Sequence, residues 1–187
     1  MPQDYKSRPK KTTVNLFIET RILEEIREEA EQKGVSLNAR INSILTKYIN
    51  FYKRAEEVDD TCVVPKKYFQ FAIDNINEED NIKMVADMHR IWVPAFLHDI
   101  NVPLTVENFV EYAARQVGIN SRTIDNVTYH LDKEENRILA FTHRFGLKWS
   151  RVLSRGLAIF IEELFNYRTE VSVYTGSFVI KVLERRH

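Results

Sequence analysis

Polar and apolar residues alternate over positions 12–19, and then the alternation stops. Val14, Leu16 and Ile18 fall on one side and Thr13, Asn15 and Phe17 on the other, which predicts a short β-strand. From Arg21 the apolar spacing becomes three and four. Ile22, Leu23, Ile26 and Ala30 mark an amphipathic helix. Lys33-Gly34 ends it, glycine being favoured just past a last helical turn. Ser36 suits the N-cap of a second helix, whose apolar stripe is Leu37, Ile41, Ile44, Leu45, Tyr48, Ile49 and Tyr52. That stripe is broad, as for a helix covered both by its own chain and by a second one. One strand and two helices are too little to enclose a core alone. A strand with no partner in its own module must find one, most simply the same strand of a second copy.

The charged stretch 53–60 reads as a linker. The chain then divides into an arm (1–11), a first domain (12–54), a linker (55–64) and a second domain (65–187). In the second domain Pro65 sits at a helix start, followed by Phe69, Ala72, Ile73 and Ile76. Ile82, Val85, Met88 and Trp92 predict another helix, halted by Pro94. A third starts at Thr105, with Val106, Phe109, Val110, Ala113 and Val117 inward and Gly118 closing it. Strands are expected at 124–131 and 137–143 around a polar turn. A long helix is expected at 147–165, with Trp149, Leu153, Leu157, Phe160 and Leu164 inward and Gly156 mid-helix. The stretch 171–183 is β-rich, with a turn at Thr175-Gly176-Ser177.

Composition narrows the class. The hydrophobic fraction of 44% and aromatic fraction of 11% are globular values. Formal net charge is +0, so overall charge does not advertise a nucleic-acid partner; its distribution is more telling. The arm carries Lys6, Arg8, Lys10 and Lys11 against Asp4, whereas the first helix is rich in glutamate. The single cysteine, Cys62, allows no internal disulfide, which suits a reducing cytoplasm. No signal peptide and no membrane span are expected.

At residues 13–52 the sequence resembles the ribbon-helix-helix family of DNA-binding proteins, the group that includes the Arc and MetJ repressors. The resemblance rests on Thr13-Val14-Asn15-Leu16-Phe17-Ile18, the helix at 21–32, the turn Gly34-Val35-Ser36-Leu37-Asn38 and the helix that begins there. The fold class it implies is an N-terminal β-α-α ribbon-helix-helix dimer, here joined to a C-terminal α+β domain with a small antiparallel sheet. The paired strands of such a dimer form a ribbon that fits the DNA major groove. The resemblance further implies that Thr13, Asn15 and Phe17 read base edges. It gives Ser36, Leu37 and Asn38 a phosphate, held through backbone amides, and makes Leu16, Ile18, Ile41, Leu45 and Tyr48 the dimer core. The chemistry agrees in part. Free N–H groups and the helix dipole favour an anion. Asn15 can pair bidentately with adenine, and Thr13 can touch a thymine methyl. Phe17 departs from the polar or basic reader usual there and offers only apolar contact. Lys10 and Lys11 would then supply phosphate attraction, each neutralised phosphate steepening the log–log salt dependence by about 0.9. The acidic run Glu56-Glu57-Val58-Asp59-Asp60 marks where such contact should end.

The expected function is that of a cytoplasmic, homodimeric, sequence-specific transcription regulator, with double-stranded DNA and a second copy as partners. The second domain is expected to serve assembly, giving a tetramer if it bridges dimers, or to sense a ligand. The alternative is an antitoxin or protein-interaction module in which the first domain serves mainly dimerisation. No cofactor, metal or catalytic role is expected, and no small-molecule ligand can be named for the second domain. His89, His98, His130 and His143 lack metal-ligand spacing. Arg144, Lys148, Arg151 and Arg155 follow a helical stripe that reads first as a solvated face and second as an anion site. No Gly-rich phosphate loop, HExxH or nucleophile elbow is present.

Overall fold

The computed structural model describes residues 12–53 and 64–185. The chain forms two compact units, residues 1–45 and 46–187. The expected linker at 55–64 falls almost wholly outside the described residues.

In the first unit, α1 spans Thr20–Gln32 and ends in a Schellman turn. Gly34 takes a left-handed φ of 63°, Gly34 N–H donates to Glu31 O, and Val35 N–H donates to Ala30 O. The helix α2 (Leu37–Lys47) follows, with wider π-type turns over Tyr48–Tyr52. The expected β-α-α ribbon-helix-helix start is corrected here. Helix α1 begins at Thr20, and residues 12–19 belong to no helix or strand. The reason is physical. A strand exists through hydrogen bonds to a neighbouring strand, and these residues make none. Alternation is a capacity for pairing, and nothing among the described residues meets it.

The second unit joins helices to an antiparallel sheet. Helix α3 spans Lys66–Asn75 and α4 spans Glu78–Asp99. Asn77 caps α4, its Oδ1 accepting from Glu79 N at 2.8 Å and Asp80 N at 3.4 Å. Glu78, Glu79 and Asp80 in the first turn complement the helix dipole. Pro94 does not halt α4, contrary to expectation. Val93, Phe96 and Leu97 flank it and are buried, and their burial offsets the lost N–H bond. Helix α5 runs from Val106 through Asn108 and continues with π-type turns over Phe109–Gly118. Strands β1 (Asn126–Leu131) and β2 (Arg137–Thr142) pair antiparallel. Helix α6 spans Gly146–Phe165 and ends at Asn166, whose left-handed φ of 58° turns the chain into β3 (Tyr167–Tyr174). Strand β4 (Ser177–Arg185) completes a sheet of order β1-β2-β4-β3.

The core lies between α4, α5, α6 and one sheet face. Val127, Leu139, Phe141, Phe178, Ile180 and Val182 come from the strands. Val93, Leu97, Phe109, Leu157, Phe160 and Ile161 come from the helices. Gly156 lets α6 approach α4 closely. A Cβ there would lie 2.7 Å from Val85 Cβ and 3.0 Å from the Ile82 carbonyl oxygen. Met88, part of the apolar spacing that predicts α4, is exposed, and the inner face is Ile82, Val85, Ala86, Val93, Phe96 and Leu97.

Candidate functional site

The first unit offers an apolar groove and a helix start. Leu16, Ile18, Ile41 and Leu45, four of the five residues expected in a dimer core, line one groove, and Ile22, Ile26 and Ile44 complete its walls. Tyr48 lies beyond that lining and is exposed. Phe17 also borders the groove, although the alternation sets it on the opposite face from Leu16 and Ile18. Over residues 12–45 only Ala30 is buried, while Val14, Leu16, Phe17, Ile22 and Leu45 are exposed. A helix pair so open lacks the covering that an amphipathic face requires.

Thr13 and Asn15 are exposed. At the start of α2, Ser36 Oγ accepts from Ala39 N–H at 3.2 Å, and Ser36 O accepts from Arg40 N–H at 3.0 Å. Leu37 and Asn38 are the first two residues of the helix, so their amides have no intrahelical acceptor. Arg40 fixes this end to α1, its Nε donating to Glu29 Oε2 at 2.7 Å. That tie joins positions eleven apart in sequence across a turn, where helical spacing gives no signal. Lys10 and Lys11, expected to meet phosphate, lie outside the described residues, as do Lys6, Arg8 and Cys62.

In the second unit, the basic stripe on α6 is occupied by partners of its own chain. Arg144 donates to Asp125 at 3.0 Å, and Lys148 donates to the carbonyls of Asp74 and Ile76, both at 2.8 Å. Arg151 grips Glu78 with two nitrogens, and Arg155 donates to Glu79 at 2.8 Å. The Arg151 hydrogen bond holds the Glu78 carboxyl below its usual range, against partial burial. Arg151 and Arg155 fasten α6 to the start of α4, and the four pairings leave no free guanidinium cluster along this stripe for an anion.

The histidines are dispersed. His130 pairs with Ile138 near one end of the β1–β2 ladder, and His143 follows Thr142 at the other. No three metal-ligating side chains converge among the described residues. His89 is enclosed by Phe109 and Phe160, with Nδ1 2.7 Å from Val85 O. Its burial pushes the imidazole pKa down. Among the described residues, His143 and Ser150 form an arrangement that resembles a base and nucleophile, at 2.9 Å. The surrounding bonds assign it another role. His143 Nδ1 accepts from Phe145 N–H at 3.1 Å, so in the neutral ring the proton sits on Nε2 and is donated to Ser150 Oγ. Ser150 Oγ in turn donates to Gly146 O at 3.3 Å. A ring donating to the serine cannot also take its proton, and both residues are buried. Burial also lowers the His143 pKa, against the pull of Asp125. The pair therefore organises the first turn of α6.

Among the described residues no helix is long and apolar enough to cross a membrane. No protein-family model, no curated protein and no solved structure matches the chain.

Proposed function

We propose that the chain is a homodimeric, sequence-specific DNA-binding regulator of the cytoplasm, its first unit covered by a second copy and its second unit serving assembly. One observation carries the reading: the residues whose type and order resemble a DNA-binding family also leave an apolar groove open. A second copy laid over Leu16, Ile18, Ile41 and Leu45 would bury what one chain leaves in water, at about 25 cal/mol per Å² of apolar surface. Thr13 and Asn15 would remain for base edges, and the Leu37 and Asn38 amides for a phosphate. Acidic residues outnumber basic ones over 12–45, so the reading assigns most phosphate attraction to Lys6, Arg8, Lys10 and Lys11.

The test is selection of bound DNA from a random pool by the full-length protein. A palindromic site is expected, mirroring a two-fold dimer. Asn15→Ala should relax discrimination at its base pair by about 1–3 kcal/mol. No enrichment at low salt, or an unchanged site preference in Asn15→Ala, would remove the base-reading role. A second reading has its own support in Phe17, a fully exposed phenylalanine at the groove edge. It takes the first unit as a protein-binding module, and a stoichiometric partner protein co-purifying in place of DNA would favour it.

A further inference from the structure

The residues that α4 turns away from the core form a strip. Met84, Met88 and Ile91 are 46%, 57% and 75% exposed and share one face at spacings of four and three. With Asp80, Lys83 and Asp87 they line a shallow open groove. Large apolar side chains that adjoin one another in water, rimmed by charges, suit a contact surface. The charges beside the strip are ordered as well. Asp80, Lys83, Asp87 and Arg90 alternate in sign along one edge, negative first. Read in the opposite direction, the same edge is positive first. A second α4 laid antiparallel therefore sets acid opposite base throughout, Lys83 beside Asp87 and Asp80 beside Arg90. In a parallel pair seated on the same strip, the two charged edges fall on opposite sides of the seam and do not meet. Arg90 already pairs with Asp87 at 3.3 Å and with Glu163. The side chains of Asp80 and Lys83 make no ion pair among the described residues, so both are available.

We propose that this face of α4 joins two copies of the chain, their helices antiparallel, with Met84 of each copy packed near Met88 of the other. The proposal rests on reading the second unit as an assembly domain and not on DNA contact. Methionine suits such a seam, because its unbranched side chain fills the gaps between facing helices. The alternating charges favour the antiparallel orientation, the one in which the two charged edges meet.

The experiment is sedimentation of the full chain without DNA over a wide concentration range. It uses the Leu45→Asp background, which charges the first unit's groove and removes that route to association. Leu45→Asp should still dimerise through α4. Adding Met88→Asp should weaken that dimer at least tenfold with helix content unchanged by circular dichroism. Adding Lys83→Asp should weaken it similarly, and adding Lys83→Asp with Asp87→Lys should restore most of the loss. A monomer at every concentration in Leu45→Asp would overturn the proposal, as would a dimer indifferent to Met88→Asp. Wild type against Leu45→Asp reads the first unit's contact separately, so the two readings fail independently.

Discussion

Two stretches of this chain carry helices with apolar stripes of similar quality and end in opposite states. Over residues 12–45 only Ala30 is buried, and Leu16, Phe17, Ile22 and Leu45 face solvent. In the second unit Val93, Leu97, Leu139, Phe160, Ile161 and Val182 are wholly enclosed. The difference lies in what lies across from each stripe. In the second unit α4 and α6 press on each other and α6 presses on the sheet, so each inward stripe meets another of the same chain. Among its described residues the first unit has two helices and no third layer, and α1 and α2 cannot cover both of their apolar faces. A stripe specifies which side must be covered; only topology supplies the cover.

Three measurements sharpen or break that contrast. The largest effect is expected in the second unit. Phe160→Ala removes a ring packed against Phe109, Phe165 and His89, and should lower stability by about 3–5 kcal/mol in denaturant unfolding. An effect below about 1 kcal/mol would mean the helical layer is not the core it is taken to be. Next is Leu45→Ala. With a second copy over the groove, it should cost about 2 kcal/mol or more, and the loss should grow as the protein is diluted. For a groove open to water the change stays within about 0.5 kcal/mol and is independent of concentration. The smallest effect is that of pH. His89 and His143 both have pKa values pushed below 6.5 by burial. Above that value both are neutral folded or unfolded and contribute no slope. As pH falls below it, the unfolded chain takes up protons first, so stability should fall, levelling once the folded-state pKa values are passed. Urea midpoints between pH 7.5 and 5 check this. His89→Gln should flatten part of the slope, while Leu45→Ala should leave it unchanged.

Much of the second unit was legible because its elements are local. The stripe from Trp149 to Leu164 placed α6, and the strand expected at 137–143 is Arg137–Thr142. Pro94 was misleading, since one missing amide is weighed against the burial of Val93, Phe96 and Leu97, which sequence spacing does not measure. Met88 shares the apolar spacing of Ile82 and Val85 yet is exposed, because α4 carries apolar residues on two faces and only tertiary packing decides which one turns inward. Residues 12–19 gave the clearest pattern in the sequence and form no strand, because a strand's bonds belong to its neighbour. The groove residues were legible as a set, Leu16, Ile18, Ile41 and Leu45 falling together. Phe17 joins them from the other side of the alternation, since without a ladder the backbone is not held to a strict two-residue phase.

Gly156 has a consequence for how the molecule meets other molecules. With no Cβ between them, α6 and α4 seat backbone against side chain, with the guanidinium groups of Arg151 and Arg155 clasping the first turn of α4. A helix clamped this way has little freedom left to lose. Any body that docks along its outer side meets a pre-organised surface, and less of the contact energy is spent on ordering it.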